Sequence, residues 1–201
     1  KKINPKIIAI TGSNGKTTTK ELASMILRNY FSDKHVLVSK GNFNNNIGLP
    51  LTILGLKKEH KYILLEMGMN HKGEIDQLCR IASPDIAVIT NIGEAHIENF
   101  KSRDDIASAK KEILTGAKRK SIAILPVEDD YYDFLKSSSN IKEVIKFGFD
   151  NTCDIRFYPN ENLYSIKTKK IAIHSKLIGK HNRINIMAAI AIGEAVNIPC
   201  N

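Results

Sequence analysis

Cysteine is scarce in this 201-residue chain: Cys79, Cys153 and Cys200 are odd in number, far apart and without C-x-x-C spacing. That usage gives no disulfide framework and no zinc pattern, and it fits a reducing cytoplasm. Long hydrophobic runs are missing too. None approaches the ~20 apolar residues needed to cross a bilayer, and the lysine-rich start lacks the apolar core of a signal peptide, so no membrane insertion is expected. Aromatic residues make up 6% of the chain, and the lysines behind its net charge of +9 are scattered among isoleucines and asparagines. A nucleic-acid partner, which would ask for a basic stripe interleaved with aromatics, is not indicated. A lysine- and isoleucine-rich background with an anionic small-molecule substrate accounts for the charge. No internal repeat, low-complexity linker or guanine-reading N-K-x-D motif occurs.

What is present begins at Lys6. An apolar run, Ile7 to Thr11, leads into Gly12-Ser-Asn-Gly15-Lys16-Thr17-Thr18, and Thr17 to Asn29 reads as a helix with Leu22, Met25 and Ile26 on one face. Strand, glycine loop and helix N-terminus together aim backbone N–H groups and a positive dipole end at one anion. Lys16 is placed for terminal phosphates and the Thr17 hydroxyl for a magnesium ion. The spelling is a variant, because Ile10 stands where the usual G-x-x-x-x-G-K-[ST] loop has its first glycine.

Strand-like runs at Val36 to Ser39, Tyr62 to Glu66, Ile86 to Asn91, Ile122 to Pro126 and Val144 to Phe147 alternate with helical stretches at Glu74 to Ile81, Asp104 to Leu114 and Asp130 to Lys136. This alternation predicts an α/β domain with a mostly parallel sheet flanked by helices and ligands at the carboxyl ends of its strands. From about residue 150 to 178 the texture changes. Ile155 to Tyr158, Leu163 to Ile166 and Ile171 to His174, with a turn at Pro159 to Asn162, predict a small antiparallel meander. A closing helix is expected over His181 to Val196, with Ile184, Met187, Ala188, Ala191 and Ile192 at helical spacing. One domain spans residues 1–201.

Glu66 ends its strand where a magnesium-binding or water-orienting carboxylate is useful, although a strand-end glutamate serves equally as a cap or a solvated residue. His96 falls in the loop after the next strand, and Lys110 on the helix behind it; taken singly, these read equally as ordinary polar residues.

Together these residues resemble the central domain of the Mur ligases, the ATP-dependent amide-forming enzymes of peptidoglycan synthesis, whose superfamily also includes folylpolyglutamate synthetase. The resemblance runs from Ile7 through Val196, and the short G-x-x-G-K-T-T loop is that superfamily's spelling. Two long blocks, Gly41 to Thr52 (GNFNNNIGLPLT) and Glu66 to Ile75 (EMGMNHKGEI), look most like the member that adds D-alanyl-D-alanine to the UDP-N-acetylmuramoyl tripeptide. The resemblance implies that Gly12, Ser13, Asn14, Gly15, Lys16, Thr17 and Thr18 hold the ATP phosphates and that Thr17, Glu66 and His96 belong to the Mg2+ site. It also implies that Lys16, His96 and Lys110 are catalytic.

Lys110 would act as a carbamate that positions a second magnesium; Lys111 competes for that role, but the family pattern Ala-Lys-x-x-Ile favours Lys110. Asn182 and Asn185, in Gly179-Lys-His-Asn-Arg-Ile-Asn185, would contact adenine, against a reading of Asn182 as a helix cap and Asn185 as solvent-exposed. Asn44 and Asn45 would meet the muropeptide. The implied reaction passes through an acyl phosphate, with UDP-MurNAc-peptide and D-Ala-D-Ala as partners. Relatives carry an N-terminal UDP-sugar domain and a C-terminal ligase domain, so the chain is expected to be an excised central domain that does not ligate alone. The competing readings are another ligase of the superfamily and a P-loop nucleotide-binding switch.

Overall fold

The computed structural model describes residues 3–95 and 97–199; His96 and Cys200, both singled out above, lie outside the described residues. In chain order the elements are β1 (Lys6–Thr11), α1 (Lys16–Phe31), β2 (Val36–Val38), α2 (Gly48–Leu54), β3 (Tyr62–Glu66), α3 (Glu74–Ala82), β4 (Ile86–Ile89), α4 (Arg103–Thr115), β5 (Ser121–Pro126), α5 (Tyr132–Lys136), β6 (Ile141–Gly148), β7 (Ile155–Tyr158), β8 (Leu163–Ile166), β9 (Lys169–Ile171) and α6 (Lys180–Ala195). They build one sheet in the order β2-β3-β1-β4-β5-β6-β7-β8-β9. Pairing is parallel from β2 to β7 and antiparallel from β7 to β9.

Apolar strand runs covered on both faces are what a parallel sheet demands. Ile8, Ile10, Leu64, Val88 and Ile124 pack against Leu27 of α1 and Met187 and Ile190 of α6. The alternate residues Ala9, Ile63, Leu65, Ile89 and Leu125 pack against Leu78 of α3 and Ile106 and Ile113 of α4. Truncating Leu27, which is fully buried, to alanine would cost about 2–5 kcal/mol. The chain leaves β1 for the edge strand β2, returns to β3 beside β1, and then crosses over β1 to β4, so strand order reverses around β1, between its neighbours β3 and β4. Ligands gather in the crevice at such a point.

All the expected strands and helices up to α5, and the closing helix, are present, with ends shifted by a turn or less. Two expectations are corrected. Met25 is 61% exposed, because the buried stripe of α1 is Lys20, Ala23, Ser24 and Leu27, with Leu22 and Ile26 at its margin. The last meander strand is Lys169–Ile171, not Ile171 to His174, since β8 turns back within two residues and Lys167 takes a positive φ of 54°. An unanticipated helix, α2, follows the asparagine-rich run. There Pro50 lies in the first turn, where its missing N–H costs nothing, and Asn45 Oδ1 accepts from the N–H of Ile47 at 3.1 Å and of Gly48 at 2.9 Å.

Candidate functional site

β1 ends in a turn that only glycine can make at two places. A Cβ on Gly12 (φ 153°) would fall 1.8 Å from Thr90 Oγ1, and one on Gly15 (φ 81°) would fall 2.1 Å from Asn185 Oδ1. Gly15 is also the N-cap of α1, with no side chain capping it, so the first-turn N–H groups of Lys16, Thr17 and Thr18 are left for an anion. The loop is clamped to the segment after β4. The N–H groups of Ser13 and Asn14 donate to Asn91 O (3.1 Å) and Asn91 Oδ1 (3.0 Å), Thr90 Oγ1 donates to Asn14 O at 2.6 Å, and Ser13 Oγ both donates to Gly93 O (3.0 Å) and accepts from Gly93 N–H (2.8 Å). The half-buried Asp129 steadies that segment by accepting from Ile92 N–H at 2.7 Å; burial raises its pKa.

Lys16 Nζ donates to Gly12 O at 2.7 Å and Ser13 O at 3.2 Å. Burial lowers its pKa, opposed by the Glu66 carboxylate. Thr17 Oγ1 donates to Glu66 Oε2 at 2.8 Å, and Asn44 Nδ2 donates to Glu66 Oε1 at 3.0 Å. Glu66 is 2% exposed, so its carboxylate is held between the phosphate helix and the asparagine loop. A hydroxyl and a carboxylate oxygen in direct contact are hard donors that suit Mg2+, which needs only one or two carboxylates beside phosphate and water. No cluster of three His, Cys, Asp or Glu side chains with metal-binding geometry occurs among the described residues.

Lys110 projects from α4 toward the same place. It is 2% exposed and makes no hydrogen bond or ion pair among the described residues. Burial, and secondly the Lys16 cation, push its pKa down to about 7. Lys111 turns away, donating to Phe134 O at 2.6 Å and Ser137 Oγ at 2.9 Å, so of the two lysines only Lys110 is electrostatically tied to the phosphate loop.

Beside Lys16 opens a cavity of about 550 Å³ whose lining includes Asn44, Asn45, Asn70, Gln77 and Glu74. Carboxamides offer both donors and acceptors, as peptide groups require. Asn44 and Asn45 both reach it while Asn45 also starts α2. Asn182 is half-buried at the first turn of α6 and donates to Ile178 O at 2.8 Å. Asn185 is 4% exposed, which excludes the solvent-exposed reading; it lies under Gly15 and accepts from Thr19 Oγ1 at 3.4 Å. Sequence reasoning missed Lys20, fully buried against Ser39, Gly41 and Glu66. Nothing separates it in sequence from a solvated helix lysine.

A glycine turn, an uncapped helix N-terminus, a lysine and a carboxylate at one strand-order reversal define an α/β domain of the nucleotide-phosphate-binding type. The chain belongs to the Mur ligase family: the model of the Mur ligase middle domain matches residues 10–193. It is 40% identical over 194 residues to the UDP-N-acetylmuramoyl-tripeptide--D-alanyl-D-alanine ligase of Bacillus subtilis, covering 95% of this chain and 41% of that protein. Among solved structures it resembles MurF of Acinetobacter baumannii (TM-score 0.87, 33% identity, 96% of this chain and 43% of that one). It also resembles the MurF ligase of Thermotoga maritima in complex with ADP (TM-score 0.82, 30% identity, 99% and 47%). The chain thus spans less than half the length of these relatives. No helix among the described residues is long and apolar enough to cross a membrane.

Proposed function

We propose that this chain is the ATP-binding core of a ligase that adds D-Ala-D-Ala to UDP-MurNAc-tripeptide, working with an N-terminal UDP-sugar domain and a C-terminal domain for the dipeptide. One observation carries the reading. A hydrogen-bonded run from Thr17 through Glu66 to Asn44 joins the phosphate helix to a carboxamide-lined cavity that Lys16 also lines. Phosphates on the loop and a peptide carboxylate in the cavity would therefore meet at Lys16.

In this reading Gly12 to Gly15 shape the loop, the N–H groups of Lys16, Thr17 and Thr18 hold the terminal phosphates of ATP, and Lys16 exchanges its two loop carbonyls for phosphate oxygens. Bound by Thr17, Glu66 and His96, with a Lys110 carbamate at a second ion, magnesium would neutralise the charge of the two reacting anions. The neutral Lys110 amine, accessible because its pKa is near 7, attacks carbon dioxide and loses one proton to give that carbamate. The tripeptide carboxylate attacks the γ-phosphorus and ADP leaves. The D-Ala-D-Ala amine then attacks the acyl phosphate carbon, phosphate departs and the amine loses a proton. Alignment of the two anions supplies much of the rate. Asn44 and Asn45 hold the peptide. Asn182 meets adenine from the exposed start of α6, backed by Asn185, whose Nδ2 is 3.5 Å from Asn182 Oδ1.

Calorimetric titration with Mg-ATP and Mg-GTP, wild type beside Lys16→Ala, tests the nucleotide half. ATP-selective heat lost in the variant is expected, and a preference for GTP overturns the reading. Ligation assays test the other half: the full-length protein is expected to join the two substrates and the isolated chain is not.

A further inference from the structure

A lysine without any solvent contact is rare, and its charge is costly to bury unless every donor is met. Lys20 is 0% exposed. Its ammonium donates to Ser39 O at 2.9 Å and Gly41 O at 3.3 Å, pairs with Glu21 Oε1 at 3.2 Å and lies 3.8 Å from Glu66 Oε2. Apart from its helix neighbour Glu21, those partners come from the two segments that build the site. Ser39 and Gly41 open the asparagine loop, whose Asn44 grips the other Glu66 oxygen, and Ser39 Oγ accepts from Glu66 N–H at 3.2 Å. On α1, Lys20 follows Lys16 by one turn and Thr17 by three residues.

A buried ion pair is weak grounds for stability, since replacing both partners together by well-packed apolar side chains is often neutral or better. What an apolar residue there would not supply is a fixed donor joining α1, the end of β2 and the end of β3. We propose that Lys20 is a positioning residue that fixes Glu66 Oε2 and the start of the asparagine loop relative to the phosphate helix. The same contact keeps the nucleotide and acceptor halves in register. Lys20 touches neither reactant; it acts through Glu66 and through residues 39–46. This inference rests on the ligase reading above.

The test uses the full-length protein with Lys20→Met and Lys20→Arg. In Lys20→Met the Mg2+ concentration giving half-maximal ligation rises by about 10-fold or more and the KM for UDP-tripeptide rises with it, by analogy with the loss of other groups that orient metal ligands. Lys20→Arg, which keeps the charge, recovers most of both. In ligand-free protein, amide exchange of residues 39–46 accelerates about 10-fold in Lys20→Met while exchange in α4 is unchanged.

A folded Lys20→Met with wild-type Mg2+ requirement, acceptor KM and exchange overturns the proposal, as does a uniform rise in exchange with unchanged Mg2+ requirement, which would mark a purely structural lysine. Should Lys20→Met not fold, Lys20→Gln, which retains a donor and loses the charge, is read by the same criteria. Wild-type protein that does not ligate at all sinks the ligase reading; ligating wild type beside an unaffected Lys20 variant sinks only this one.

Discussion

Helices α1 and α4 lie on opposite faces of the sheet, and each buries a lysine beside the phosphate loop, Lys20 at 0% and Lys110 at 2% exposure. Their surroundings differ in kind. Lys20 has two carbonyls and two carboxylates around it, whereas Lys110 has no partner among the described residues and feels the cation of Lys16. Burial alone therefore does not set what a lysine does. Oxygens meet the donors of one on every side; the other, buried near a second positive charge, has its pKa pushed down.

The sharpest test of that contrast is stability against pH in carbonate-free buffer. The Lys110 amine titrates at about 7 in the fold and at 10.5 as an unperturbed lysine. Between those values the unfolded chain binds one more proton, so this group's contribution to stability rises with pH across the window and its full penalty is present below pH 7. The difference is on the order of 5 kcal/mol. Urea denaturation is expected to find Lys110→Met more stable than wild type at pH 6.5, with the gap closing toward pH 10; a gap that does not change with pH breaks the comparison.

Lys20→Met should move the other way. It strips donors from Ser39 O and Gly41 O and leaves Glu66 short of a cation, a loss of about 3 kcal/mol at pH 7 by the same denaturation. If both methionine variants stabilise the chain, the two lysines are equivalent and the contrast fails. Next in size is a kinetic effect on the full-length protein. Stripping carbon dioxide and bicarbonate should slow ligation by about 10²-fold, reversibly, if a Lys110 carbamate stabilises the transition state. Lys110→Met should be slow with or without bicarbonate.

The two lysines also mark how far sequence could see. The phosphate loop was legible because Gly12 and Gly15 meet backbone demands that no other residue satisfies, and Lys110 because the resemblance carried a pattern around it. Lys20 was not, since it shares helix α1 with charged residues that face water and its partners come from β2 and β3, distant in sequence. Met25 was misplaced for the same reason: with a lysine in the true buried stripe, the apolar residues of α1 pointed to the wrong face. The helix α2 was hidden by an Asn-Gly-Pro texture that reads as loop, its capping by Asn45 visible only in three dimensions. The parallel strands held their expected positions because strands buried on both faces are continuous apolar runs, whereas the last antiparallel strand shifted.

The smallest effect concerns the support of α1 from α6. Asn185 Oδ1 occupies the place where a Cβ on Gly15 would be, and it accepts from Thr19 Oγ1 on the first turns of α1. If Asn185 acts as a buttress for the loop, Asn185→Ala loosens the turn and costs about 1 kcal/mol in stability through its lost hydrogen bonds. Gly15→Ala should cost more, because it combines a φ of 81° with a collision against that same amide. Removing the amide in the double variant leaves the backbone strain and relieves the collision, so the two losses should add to less than their sum, with a coupling of about 0.5–3 kcal/mol. Strict additivity in denaturation, together with a raised ATP KM in Asn185→Ala alone, would assign Asn185 to the nucleotide base and leave α1 held against α6 by its apolar contacts alone.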